Sequence, residues 1–241
     1  MKIALLIRGI VFKENHRHFT NNMYTIDYKL NYKNLLEQTI NPLKIDNDVD
    51  IFISTYKNEK YTSKDIITDF SPKEFILIEG ENKQQLDCIE EGLKLIENTI
   101  QTTNENYDFI IVTRFDLDLK TNINNIPYKI DKFNFIWYEL SKDNLVGDCM
   151  FFFDGKYLAY FIKAVQVCEY RAVAHFIKKY IDIFLTSKDI HIIYGFHWSN
   201  SDTYENPLYK IVRGELRGQY ILNPSAKILG LSKFQKFKIP I

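Results

Sequence analysis

Surplus charge is the first thing this sequence lacks. Its 241 residues carry 31 Lys and Arg against 31 Asp and Glu, for a formal net charge of +0. A general nucleic-acid binder needs excess positive charge to displace counterions from phosphates, so the overall balance argues against that class. Cysteine is scarce as well: Cys88, Cys149 and Cys168 are odd in number and lack C-x-x-C spacing. That disfavours a disulfide framework or a structural zinc knuckle and suits a reducing compartment. Nine Gly and six Pro are too few for a loop-rich or collagen-like chain. Long apolar runs are missing too. The N-terminal run is interrupted by Arg8, with no small-residue cleavage site behind it, unlike a secretory leader. No later stretch approaches the roughly 20 apolar residues of a membrane span. The expectation is a soluble, cytoplasmic protein with no transmembrane segment.

What the sequence has is core-forming material. Hydrophobic residues make up 46% and aromatics 15%, with 16 Tyr and 18 Phe, enough for one sizeable domain. Residues 2–7 (KIALLI) form a short continuous apolar run ending at Arg8-Gly9, the signature of a buried parallel strand opening into a loop. Residues 10–34 follow as a polar and aromatic excursion, then a helix is predicted over 31–40, stopping near Pro42. Further buried strands are predicted over 49–55 (VDIFIST), 75–78 (FILI), 107–113 (YDFIIVT), 133–138 and 149–153. Leu86, Ile89, Leu93, Ile96 and Ile100 recur at three- and four-residue spacings, predicting a long helix over 84–100. Residues 156–184 read as two more helices. Strands alternating with helices give an α/β class with a mostly parallel central sheet flanked by helices.

In open sheets of this kind, ligands gather at the carboxyl ends of the strands. Those ends carry Arg8-Gly9, Ser54-Thr55-Tyr56, the run Arg114 to Asp118, and Asp148. Several familiar motifs are absent: no G-x-G-x-x-G follows the first strand, and there is no G-x-x-x-x-G-K-[ST]. Nor is there a G-x-S-x-G nucleophile elbow. Dinucleotide dehydrogenases, P-loop NTPases and the commonest α/β hydrolases therefore recede. What remains is Asp116-Leu117-Asp118 at the end of the most apolar strand. A bare D-x-D occurs often by chance as two solvated carboxylates. Its place after a buried strand, with Arg114 two residues earlier, favours two carboxylates aimed at one hard cation, directly or through water. Such a cation would neutralise a diphosphate leaving group.

The segment Y-D-F-I-I-V-T-R-F-D-L-D-L resembles the D-x-D strand of small glycosyltransferases with the GT-A fold. D-V-D-I-F-I-S-T-Y resembles their second strand, and V-G-D-C-M-F-F-F-D-G-K-Y their acceptor-side block; the resemblance covers about residues 1–165 in order. It implies one GT-A-like domain over 1–241, with a donor-binding part over 1–120 and an acceptor-side part over 121–241. It also implies transfer of a sugar from a nucleotide diphosphate sugar to a hydroxyl acceptor, a glycan, with Mn²⁺ or Mg²⁺ at Asp116 and Asp118 and Asp118 as the direct ligand. Arg8, Gly9, Ser54, Thr55 and Tyr56 match the strand ends where the nucleoside is held. Tyr56 either stacks on the base or is an ordinary half-buried aromatic. Arg114 either pairs with the diphosphate or forms a structural ion pair with Asp116.

Asp148 is the candidate base that deprotonates the acceptor hydroxyl in an inverting reaction; in a retaining one it would contact sugar hydroxyls. Glu139 is its understudy. His197, in F-H-W-S-N, best matches the C-terminal histidine that some such enzymes add to the metal. His16 and His18 lie in the excursion after the first strand, within reach of donor or acceptor. Arg213 and Arg217 flank a glycine-containing loop that would close over phosphates, while residues 227–238 interleave Lys with Leu, Ile and Phe as a solvated basic face. The rival readings are a nonenzymatic nucleotide- or sugar-binding module, a sugar nucleotidyltransferase, and a metal-dependent phosphohydrolase.

Overall fold

The computed structural model describes residues 1–17, 23–79, 84–138, 145–194 and 208–212. Its centre is a seven-stranded sheet in the order β10-β8-β9-β6-β1-β4-β5. The strands are β1 (Lys2–Gly9), β4 (Asp48–Tyr56), β5 (Glu74–Ile78), β6 (Phe109–Arg114), β8 (Phe133–Trp137), β9 (Phe151–Asp154) and β10 (Ile190–Tyr194). β1 pairs in parallel with both β4 and β6, β4 with β5, and β10 with β8, while β9 runs antiparallel to β6 and β8. The fold is thus mixed α/β with a mostly parallel sheet. Two smaller pairs stand beside it: β2 (Phe12–Arg17) with β3 (Met23–Asp27), and β7 (Leu117–Leu119) with β11 (Tyr209–Ile211), both antiparallel.

Because side chains alternate along a strand, a strand covered on both faces must be apolar throughout, and β1 is. Ile3, Leu5 and Ile7 enter one core; Ala4 and Leu6 enter the other. The second of these cores is closed by α4 (Gln85–Thr103), α5 (Leu158–Val167) and α6 (Ile177–Ile181), through Leu86, Ile89, Leu93, Phe161 and Ile177. The first is closed by the helical stretch 32–46 and by α3 (Ser63–Phe70), through Leu35, Ile40, Leu43, Ile66 and Phe70. α4 starts at a reciprocal cap between Gln84 and Asp87 and ends at Asn104, whose left-handed φ of 56° releases the chain. Gly92 brings this helix against Leu6, where a Cβ would lie 2.6 Å from the Leu6 methyls.

The helical stretch does not stop near Pro42 as the sequence predicts. α1 (Tyr32–Asn34) widens into a π-helical segment (Leu35–Ile40), and α2 (Asn41–Asp46) continues through Pro42. Proline is tolerated in a first turn, where its missing N–H would have no partner, and the junction after the wider segment supplies such a turn. The excursion over 10–34 contains the β2–β3 hairpin rather than a continuous loop. Chain order reverses between β1 and β6: the chain moves from β1 to β4 and β5 on one side, then returns to β6 on the other. A crevice forms outside the carboxyl ends of strands at such a reversal.

Candidate functional site

The carboxyl ends of β1, β4 and β6 bring Arg8-Gly9, Ser54-Thr55-Tyr56 and Arg114 side by side, with Arg8 in register with both Ser54 and Arg114. These residues divide into a buried floor and a part-exposed rim. Arg8, Ser54 and Thr55 belong to the floor, each at most 1% exposed. Thr55 Oγ1 donates to the Gly9 carbonyl at 2.7 Å, and the Ser54 hydroxyl lies 3.4 Å from the buried Cys88 thiol. Gly9 has φ 112°, a conformation only glycine adopts readily. A Cβ there would meet no atom within 4 Å, so the backbone is open to close approach. Tyr56 folds back over the start of α4, where its hydroxyl donates to the Gln84 carbonyl at 2.6 Å. Burial raises its hydroxyl pKa, so it stays a neutral donor.

Four charges interlock in the floor. Arg114 donates from Nε and Nη2 to both oxygens of Asp116, at 2.7 and 2.6 Å, a bidentate pair. Its Nη1 also stands 3.9 Å from Asp148 Oδ2. Asp148 itself is buried, held by Gln85 Nε2 at 2.5 Å, with His175 Nε2 at 3.8 Å from its other oxygen. Arg8 Nη2 donates to the Asp148 main-chain carbonyl, while its buried Nε has no hydrogen-bond partner. Burial alone would raise the Asp148 carboxyl, but the charges of His175, Arg114 and Arg8 and the Gln85 hydrogen bond outweigh it and hold it well below the usual carboxylate range. Burial and the neighbouring Arg114 lower Arg8. Burial also acts to lower Arg114, but Asp116, Cys149 and Asp148 reverse it and raise the group well above its ordinary value. Both guanidinium groups remain charged at any physiological pH.

Asp118 occupies the rim. β7 directs Leu117 and Leu119 into the core and leaves Asp118 on the opposite face, its carboxylate 3.1 Å from Lys210 Nζ on β11. Its side chain is 25% exposed and that of Lys210 43%, so the pair is worth about 0–1 kcal/mol and is readily exchanged for another cation. Asp116 and Asp118 stand one strand period apart and offer only oxygen donors, which suits a hard divalent cation that draws its other ligands from water or phosphate. Among the described residues, no group of three or more His, Cys, Asp or Glu gathers as a metal site. A cation held by these two carboxylates would draw further ligands from elsewhere.

His18, Glu139, His197, Arg213, Arg217 and residues 227–238 lie outside the described residues, and of His16 only the β2 backbone is described. Four residues that sequence reasoning passed over join the site. Gln85 links Asp148 to the Ala174 amide, its Oε1 accepting at 3.1 Å. His175 is fixed by a 2.8 Å contact between Nδ1 and the Val146 carbonyl. Asn31 and Asn34 reach the backbone of the D-x-D segment. Asn31, Asn34 and Gln85 lie 63 or more positions from the groups they meet, and His175 lies 29 from Val146, so no local pattern marks them.

No protein-family model matches the chain. No curated protein matches it either. Among solved structures, the chain is similar to a candidate nucleotide-diphospho-sugar transferase from Desulfovibrio desulfuricans G20, with a TM-score of 0.44 and 10% sequence identity over 79% of this chain and 78% of that one.

Proposed function

We propose that this chain is a glycosyltransferase that moves a sugar from a nucleotide diphosphate sugar to a hydroxyl acceptor, a glycan. The observation that carries this reading is the placement of Gly9, Tyr56 and Arg114 at the carboxyl ends of β1, β4 and β6, where the sheet order reverses, with Asp116 and Asp118 directly following β6 in the chain. In this reading residues 1–120 form the donor side and 121–241 the acceptor side of a single domain.

In this reading Gly9 lets the nucleoside approach the β1 backbone, and Tyr56 borders it. Asp118 would hold Mn²⁺ or Mg²⁺ directly and Asp116, already clamped by Arg114, through water; the cation would neutralise charge on the departing diphosphate. Arg114 faces the same charge from the protein side. The acceptor oxygen bonds to the anomeric carbon as the bond from that carbon to the diphosphate oxygen breaks, and the acceptor proton must leave. Asp148 is ionised and accepts it in an inverting reaction. Its cationic neighbours make it a weak base at rest, and drawing Arg114 toward the diphosphate raises its basicity. His197, beyond the described residues, is the further candidate ligand.

Thermal-shift titration with UDP, GDP, CDP and their sugars, with and without Mn²⁺, tests this reading. The expected result is a metal-dependent shift with one nucleoside diphosphate, lost in Asp118→Asn, followed by acceptor-dependent release of that diphosphate. Binding without turnover would demote the chain to a binding module. Release of free phosphate without an acceptor would make it a phosphohydrolase, and pyrophosphate exchange with a nucleoside triphosphate would make it a nucleotidyltransferase.

A further inference from the structure

Among the described residues, β7 is a three-residue strand with a strand partner on one edge only. On that edge, Val212 N–H donates to the Asp116 carbonyl at 2.7 Å and Lys120 N–H to the Leu208 carbonyl at 2.8 Å, continuing the β11 ladder. Backbone groups of alternate residues point to opposite edges of a strand, so Phe115, Leu117 and Leu119 face the other way. There the Phe115 amide donates to the Arg8 carbonyl at 3.3 Å, and two side chains supply further partners. Asn31 Nδ2 donates to the Phe115 carbonyl at 3.1 Å and to the Leu117 carbonyl at 2.6 Å. Asn34 Nδ2 donates to the Leu119 carbonyl at 2.9 Å, and Asn34 Oδ1 accepts from the Leu119 amide at 2.8 Å. A side-chain amide carries the same donor and acceptor as a peptide group, so Asn34 reproduces the two-bond exchange of a paired strand residue.

We propose that Asn31 and Asn34 are positioning residues that replace a missing strand and so fix the projection of Asp116 and Asp118; this rests on the donor site described above. Three features support it. The carbonyls they hold flank both aspartates, so a slip of one residue would turn the carboxylates into the core and the leucines out. Asn31 is 1% exposed, and its Oδ1 has no hydrogen-bond partner. A buried acceptor left unpaired is unfavourable, and Asn31 tolerates it while its amide donates to two carbonyls. Finally, the helix changes to π-helical hydrogen bonding at Leu35, directly after Asn34. Such segments recur at functional sites, and the change follows the turn that carries both asparagines on one face.

Asn34→Leu, with Asn31→Leu as the more buried second variant, is compared with Asn124→Ala, which removes an asparagine bonded to the Pro42 carbonyl away from β7. Two readouts are taken: Mn²⁺ affinity by electron paramagnetic resonance, and exchange of the Leu119 amide by NMR in the metal-free protein. Asn34→Leu should weaken Mn²⁺ binding about tenfold and speed Leu119 exchange about tenfold, the effect of roughly one lost hydrogen bond. Asn124→Ala should lower the melting temperature without changing either. Equal Mn²⁺ affinity in Asn34→Leu and wild type, or an equal loss in Asn124→Ala, overturns the positioning role. Absence of Mn²⁺ binding in the wild type, with or without nucleoside diphosphate, defeats the donor-site reading and the positioning role with it. Unchanged Leu119 exchange defeats the surrogate strand itself, whatever the metal does.

Discussion

Replacing Asp148 by Asn is the sharpest probe of the charged floor. The carboxylate is 9% exposed and faces Arg114 at 3.9 Å and His175 at 3.8 Å, above an Arg8 side chain with 1% exposure. At an effective dielectric of about 20, charges about 4 Å apart attract by about 4 kcal/mol. Asparagine keeps an oxygen for the Gln85 amide but removes the negative charge beside Arg8 and Arg114, leaving Arg114 its pair with Asp116. Removing one member of a buried ion pair costs about 3–5 kcal/mol, and the retained Gln85 bond places this variant near 3 kcal/mol. Urea unfolding at pH 7 measures it. A double variant that also carries Arg8→Met removes the stranded cation and should lose less than the sum of the two single changes.

The pH dependence has a definite sign. Asp148 binds its proton less readily when folded than when unfolded, where the ordinary value is about 3.9. Its stabilising contribution is complete above the unfolded value and is lost as pH falls through that value toward the lower folded one. The stability gap between wild type and Asp148→Asn should therefore narrow as pH falls below about 4. A loss under about 1 kcal/mol, or a gap that does not narrow in acid, would show that Asp148 is solvated and the interlocked charges are not formed.

Other changes separate binding from folding. Asp118→Asn should alter stability by less than about 1 kcal/mol, because its partner Lys210 is half-exposed, while abolishing the Mn²⁺-dependent thermal shift; a large loss of stability would refute the rim placement. Gly155→Ala should prevent folding or cost more than about 3 kcal/mol, because a Cβ there would lie 1.9 Å from the Tyr107 carbonyl oxygen; urea unfolding checks it. Phe133→Ala, which empties a fully buried site stacked on Phe153 at 5.0 Å, should cost about 3–5 kcal/mol in the same assay.

The central strands were legible because burial on both faces demands unbroken apolar runs, and β1, β4, β5 and β6 fall within two residues of the predicted runs. Strand direction was not: Phe151–Asp154 is apolar like its neighbours, yet β9 runs antiparallel to both, because the connection and not the side chains sets polarity. β2 and β3 are polar strands that, among the described residues, pair only with each other, and β7 and β11 span three residues each, too short for a period-two pattern to show. α3 did leave a readable mark, the reciprocal cap between Thr62 and Asp65. At the site, the strand ends were legible because topology places them together. Gln85, His175, Asn31 and Asn34 were not, since each matters through a partner brought near only by the fold.

Charge balance ties these pieces together. Arg8 and Arg114 offset Asp116 and Asp148 in the floor, and Lys210 offsets Asp118 on the rim. The described part of the site thus carries no surplus positive charge with which to attract a bare, doubly negative diphosphate. On the proposed reading, a diphosphate arriving with a divalent cation is close to neutral and needs no such surplus; it needs one replaceable counterion and a fixed carboxylate. Lys210, nearly half-exposed, is the replaceable counterion, and Asp118, on a strand held along both edges, is the fixed carboxylate. The same balance explains why the two arginines differ. Arg8 is sealed under the sheet end and sets the floor, whereas the Arg114 side chain is 20% exposed and is held by Asp116 and Asp148.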